Sequence, residues 1–101
     1  MNKDFQDLKK KFINKNYNEV IQISRNNIKK GSKLPIYFNL LSASLEALGK
    51  LIEAEEILLK AIKINPNEIS FRSNISRVQR ILKKYKESED NLVHGLKIDK
   101  D

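Results

Sequence analysis

His94 is the only histidine in the chain, and Asn91 and Lys97 near it are polar. One imidazole with no cysteine and no second histidine cannot assemble the nitrogen and sulfur ligand sets that hold transition metals. His94 is therefore expected to be an ordinary surface residue, with no metal site. Glu53, Glu55 and Glu56 are close enough in sequence to resemble a general acid-base cluster. They fall in the first turns of a helix, however, where negative charge offsets the helix dipole, and that role is structural. Ser24, Ser44 and Ser76 have no base nearby to activate them, and no glycine-rich loop is present to cradle a phosphate. The expectation is a protein without catalytic residues or cofactor. Asn74-Ile75-Ser76 spells a glycosylation acceptor, but nothing at the N-terminus reads as a secretion signal.

The formal net charge is +7, and three lysine groups carry much of it: Lys9-Lys10-Lys11, Lys29-Lys30 with Lys33, and Lys83-Lys84-Lys86. One reading of this charge, alongside the bias toward Lys, Asn and Ile, is the composition of an AT-rich genome without selection for binding anions. A basic surface for acidic peptide, nucleic acid or anionic lipid is the functional alternative. Nucleic-acid surfaces set basic stripes beside aromatics that are free to stack. Here the lysine groups lie near different turns, and Tyr85, the aromatic within the last of them, falls at a core position of the pattern below. A protein or peptide partner, with acidic character left open, is the stronger expectation. The absence of cysteine removes disulfides and is compatible with a reducing cytoplasm. No apolar run approaches the roughly 20 residues of a membrane span.

The elements that must carry these residues repeat. Glu19, Glu53 and Glu87 are thirty-four residues apart, as are Tyr17, Leu51 and Tyr85, and Ile28, Ile62 and Leu96. That period belongs to helix-turn-helix arrays, and 101 residues hold three such units, about the minimum that buries a continuous core. One domain over residues 1–101 is expected, with units of approximately 1–34, 35–68 and 69–101. Apolar residues at three- and four-residue spacing predict six helices. Phe5, Leu8, Phe12 and Ile13 mark the first, and Tyr17, Val20, Ile21 and Ile28 the second. Asn16 and Glu19 form an approximate capping box between them. Pro35 opens a third helix with Phe38, Leu41, Leu45 and Leu48, and Gly49 ends it. A fourth carries Ala54, Ile57, Leu58, Ala61 and Ile62, a fifth Phe71, Ile75, Val78 and Leu82, and a sixth, from Tyr85, Leu92, Val93, Leu96 and Ile98. Links of a few residues make consecutive helices antiparallel neighbours.

Gly49, Ala54, Ala61 and Pro66, with Phe38, Leu41, Leu45, Leu58 and Ile62 around them, closely resemble the tetratricopeptide repeat family. Small residues at Ala54 and Ala61 let two helices approach, while Gly49 and Pro66 punctuate turns. The third unit departs from the pattern with Lys83 for the turn glycine, Ser88 for the first alanine and Lys100 for the proline. In the first unit the opening helix fits only if its turn is one residue short, and Asn27 stands where a small residue is expected.

The resemblance implies an all-α, right-handed superhelix whose first helices line a groove for extended or helical peptides. Its groove positions fall on Gln6, Lys10 and Ile13 in the first unit, and on Ile36, Asn39, Leu40, Ala43, Glu46 and Ala47 in the second. In the third they fall on Ser70, Ser73, Asn74, Arg77 and Arg80. The family branch that clamps a chaperone's C-terminal carboxylate needs an asparagine where Leu40 stands and basic residues where Ser70 and Asn74 stand, so that ligand is not expected. Arg77 and Arg80, three residues apart, remain candidates to meet an anion. The expected function is a non-catalytic protein–protein interaction scaffold. One alternative makes the chain, which stops at Asp99-Lys100-Asp101, the arm of a larger enzyme such as a glycosyltransferase or sulfotransferase. Another is self-assembly, a weak homodimer, through Leu92, Val93 and Leu96 on the last helix.

Overall fold

Six helices follow in the predicted order in a computed structural model that describes the backbone of residues 2–100 and the side chains of residues 5–98: α1 (Asn2–Ile13), α2 (Tyr17–Lys29), α3 (Pro35–Ala47), α4 (Leu51–Ile64), α5 (Ile69–Ile81) and α6 (Tyr85–Lys100). Among the described residues there is no strand. Asp101 lies outside them.

Local chemistry explains the helix ends. Pro35 opens α3, where its fixed φ suits the first turn and its missing N–H is no loss. The chain leaves the first helix of every unit by the same left-handed residue. Gly49 has φ of 79°, Lys15 64° and Lys83 66°. Each turn closes with the same two backbone bonds: Lys15 N–H to Phe12 O and Asn16 N–H to Lys11 O at 2.9 Å each, Gly49 N–H to Glu46 O at 2.9 Å and Lys50 N–H to Leu45 O at 2.8 Å, Lys83 N–H to Arg80 O at 3.0 Å and Lys84 N–H to Gln79 O at 2.7 Å. This closes the orphan carbonyls at a helix C-terminus. The thirty-four-residue period therefore holds in the first turn, which is not one residue short. What differs is α1 itself: its buried residue among those described is Leu8, one position past the phase of Leu41, while Asp7 at that phase is exposed. Asn27 occupies the place of Ala61 and Gly95, and a cavity of about 250 Å³ lies between α1, α2 and α3, lined by Leu8, Ile23, Asn27 and Tyr37. Phe5 packs edge-on against Tyr37 with ring centroids 6.0 Å apart.

The capping box at Asn16 does not form. Asn16 makes no side-chain capping bond, its φ of −83° and ψ of 59° lying outside the extended conformation of an N-cap, and Glu19 pairs with Lys11 at 2.7 Å.

The core runs through the middle of the array: Phe38, Leu41, Leu45, Ala54, Leu58, Ala61, Phe71, Ile75 and Val78 are all buried together, with Phe38 edge-on to Phe71 at 6.0 Å. Ala54 and Ala61 are closed off entirely, which is what lets α4 lie tight on its neighbours. α6 is different. Its two buried residues among those described are Ser88 and Gly95, while Leu92, Val93 and Leu96 are exposed. Tyr85, expected in the core, is 61% exposed. Leu51, in the same phase, packs against the core in the middle unit, whereas no described helix lies beyond Tyr85.

Consecutive helices pack one on the next, and α3 also touches both α1 and α5, whereas among the described residues the backbones of α2, α4 and α6 do not approach one another. The array therefore curves toward the side on which the first helices lie.

Candidate partner-binding surface

The groove positions named from sequence lie on α1, α3 and α5, the helices of the inner side. Gln6 and Lys10 are exposed on α1, and Ile36, Leu40 and Ala43 are half-buried on α3. Helical spacing puts Ile36, Leu40 and Ala43 on one face, since they are four and three residues apart.

Next to this apolar strip the polar groove residues are engaged with one another. Asn39 donates through Nδ2 to Ser70 Oγ at 2.8 Å, and Ser70 donates to Glu68 Oε2 at 2.8 Å. Asn74 Nδ2 donates to Asn39 Oδ1 at 2.9 Å, and Arg77 Nη1 donates to Asn74 Oδ1 at 3.3 Å. The ladder ends in a forked pair: Arg77 Nε and Nη2 each donate to a carboxylate oxygen of Glu46 at 2.9 Å. Hydrogen bonding to Glu46 pushes the Arg77 guanidinium above its ordinary pKa. Both partners keep contact with water, so the pair contributes no more than about 1 kcal/mol to stability. Its larger effect is geometric, because a bidentate fork fixes the rotation of α5 against α3.

Arg77 and Arg80 therefore do not act as a pair of anion contacts. Arg77 is held by Glu46, whereas the Arg80 side chain is exposed and makes no hydrogen bond or ion pair among the described residues. Ser73, also exposed, lines a separate cleft between α5 and α6 with Ile69, Arg72, Leu92, Gly95 and Leu96.

A second polar network, which sequence reasoning missed, joins the middle and last units. Glu55 is buried on α4 and accepts from Gln79 Nε2 at 3.1 Å and from Lys84 Nζ at 2.8 Å. The hydrogen bond to Glu55 raises the Lys84 pKa. Asn91 Nδ2 donates to Gln79 Oε1 at 2.8 Å, Arg72 Nη1 donates to Asn91 Oδ1 at 2.9 Å, and the Ser76 and Ser88 hydroxyls meet at 2.9 Å. The available signal was spacing: Glu55 precedes Leu58 by three residues, which places a carboxylate on the buried stripe of α4.

The residues weighed for catalysis do not converge. Glu53 pairs with Arg25 at 3.1 Å, Glu55 with Lys84, and Glu56 faces solvent. His94 is exposed on α6. The Ser24 and Ser44 hydroxyls are buried without a partner. Among the described residues no group of three or more His, Asp or Glu is placed to hold a metal ion, and no helix is long and apolar enough to cross a membrane. The lysine groups are divided by internal pairing of Lys11 and Lys84. Tyr85, between Lys84 and Lys86, is solvent-facing, contrary to the expectation that it is committed to the core.

Residues 34–68 match the tetratricopeptide repeat family. No curated protein matches the chain.

Proposed function

We propose, for a chain whose matched middle unit and six helices in helix-turn-helix order fit a tetratricopeptide repeat protein, that its inner side binds a peptide segment of a partner protein and that no reaction is catalysed there. The family supports a protein–protein interaction module in general. The observation that carries the finer reading is the half-buried strip Ile36, Leu40 and Ala43 on α3, the middle helix of the inner side, beside the polar ladder, with exposed Lys10 on α1, which touches α3. Apolar side chains supply burial, the ladder supplies a preorganised rim, and Lys10 favours acidic residues in the peptide. Arg77 is omitted from this set, because Glu46 already neutralises it.

Peptides selected from a random display library against the protein provide the test, with binding mapped by amide chemical-shift perturbation. Shifts centred on Ile36, Leu40, Ala43 and Lys10, abolished in Leu40→Asp with helical circular dichroism intact, are the expected result. Binding that weakens with salt over the screening range of about 8–10 Å supports the acidic preference. Selected peptides that shift only α2, α4 or α6, or that bind Leu40→Asp unchanged, refute the reading.

A further inference from the structure

Consecutive helices are antiparallel neighbours and α3 lies against both α1 and α5, so the turns that join α1 to α2, α3 to α4 and α5 to α6 emerge at one end of the array. Turn residues in water are commonly small or polar. Here Ile13 is 74% exposed, Ile52 65% and Tyr85 61%, with Leu48 and Ile81 exposed beside them. Three of the four most exposed large apolar side chains among the described residues therefore stand at this end, one at each turn. The pattern follows the repeat, since the first helices end on Ile13, Ala47 and Ile81, thirty-four residues apart. Apolar side chains gathered at one end, unlike those scattered singly, mark a surface that meets something.

The charge at the same end points to what it meets. Lys15, Lys50, Lys83 and Lys86 stand among these side chains, exposed and in no ion pair among the described residues. The carboxylates nearby are largely occupied: Glu19 by Lys11, Glu53 by Arg25 and Glu55 by Lys84, while exposed Glu87 acts on Lys84. The end is left positive. Lys15 and Lys83 also hold φ of 64° and 66°, a conformation that Gly49 adopts without a Cβ clash. A side chain kept where glycine is cheaper indicates a use for that side chain. Lys29 and Lys63, at the opposite end, lie within the last turns of α2 and α4, where the helix dipole accounts for them.

We propose that the end formed by these three turns docks on the surface of a bilayer containing anionic lipids. Ile13, Ile52 and Ile81 enter the boundary between headgroups and acyl chains, and Tyr85 lies at headgroup level, where an amphipathic ring is favoured. The lysine stems follow the apolar side chains while their ammonium groups reach lipid phosphates. Nucleic acid fits this end less well. Bases need aromatic faces to stack on, and Tyr85 is the one aromatic ring exposed here among the described residues. The first helices then stand end-on to the membrane, which leaves the inner side open to a peptide.

Co-sedimentation of the intact chain with lipid vesicles tests this, using phosphatidylcholine alone and equal parts of phosphatidylcholine and phosphatidylserine. Binding to the anionic vesicles only is expected, weakening with salt because exposed charges are screened over about 8–10 Å. Lys15→Gly and Lys83→Gly should each weaken it about fivefold, and together about 25-fold. Both relieve a left-handed lysine, so circular dichroism should show the fold retained. Ile13→Ser and Ile52→Ser, which keep the charge, should each cost about tenfold. Leu40→Asp should leave vesicle binding unchanged, which separates failure here from failure of the inner-side reading. Absence of binding, or equal binding to both vesicle types, overturns the proposal. So does indifference to Ile13→Ser and Ile52→Ser, which means general attraction of a basic protein. A greater loss from Lys29→Gln with Lys63→Gln than from the two glycine variants places the contact at the other end and overturns it too. Tighter binding to a single-stranded oligonucleotide, abolished by the same turn substitutions, makes nucleic acid the occupant and is equally fatal.

Discussion

Lys83→Gly should stabilise the protein, although it removes a side chain and adds nothing to any contact. Lys83 has φ of 66° and closes the turn between α5 and α6 with the same two backbone bonds that Gly49, at 79°, makes between α3 and α4. An L-residue in the left-handed region costs about 1–2 kcal/mol through the clash of Cβ with the backbone, and glycine has no Cβ. Against that relief, glycine orders more backbone entropy on folding, about 0.5–1 kcal/mol. The net gain is about 0.5–1 kcal/mol, or about 2–8 °C in midpoint for a domain of this size. Lys83→Ala keeps the backbone penalty and removes the same charge, so it separates relief of strain from reduced repulsion and should be close to neutral. Gly49→Ala should lose about 1 kcal/mol by the same argument run backwards. Lys15→Gly, at the turn between α1 and α2 with φ of 64°, should add to Lys83→Gly nearly in full, since the turns share no partner. Urea unfolding followed by circular dichroism measures all four. Equal stabilities of Lys83→Gly and Lys83→Ala would show that the left-handed turn carries no strain and would sink the argument.

Ala54→Leu should destabilise by about 1–3 kcal/mol in the same assay, because Ala54 is fully enclosed and has no room for three more carbons; an unchanged melt contradicts the close packing of α4. Ser24→Ala should raise stability by about 1 kcal/mol, since it removes a buried hydroxyl without a partner and puts a better helix former in α2; a loss on urea titration reveals a bond to that hydroxyl. Gly95→Ala should gain about 0.5–1 kcal/mol from helix propensity, because the added Cβ meets nothing nearer than the Arg72 Cβ at 3.5 Å; a destabilised variant means α6 cannot shift to accept it. The folded-state pKa of Lys84 is raised by Glu55, so its contribution is fully present below the unfolded lysine value of about 10.4 and is lost as pH rises through the folded value. The stability difference between the native protein and Lys84→Gln should therefore shrink as pH climbs past about 10, and a difference that grows instead contradicts the sign.

How much was legible in the sequence differs by element. The helix bounds, the middle unit and the buried positions Phe38, Leu41, Leu45, Ala54, Leu58 and Ala61 follow from local rules, namely apolar spacing, a proline at a helix start and a glycine at its end. The turn at Lys15 was misjudged because register was read from the apolar face of α1. The backbone keeps the period there with a lysine in a conformation that glycine usually fills, and the buried residue of α1, Leu8, stands one position off the phase of Leu41. Tyr85 was misjudged because its phase equals that of Leu51, yet burial depends on what lies beyond a helix as well as on its phase.

The candidate surface was legible only as a set of positions. Periodicity places Asn39, Glu46, Asn74 and Arg77 on first helices, and it says nothing of whether they meet a partner or each other. The crossing of α3 and α5 decides that, bringing Arg77 to Glu46 across 31 residues of sequence and Asn74 to Asn39 across 35. The same holds for Lys84 and Glu55, 29 residues apart. Helix formation depends on neighbours within four residues and leaves its marks in sequence. Side-chain pairing depends on the rotation and offset between packed helices, a shift of a few ångströms exchanges one partner for another, and only the folded chain sets that shift.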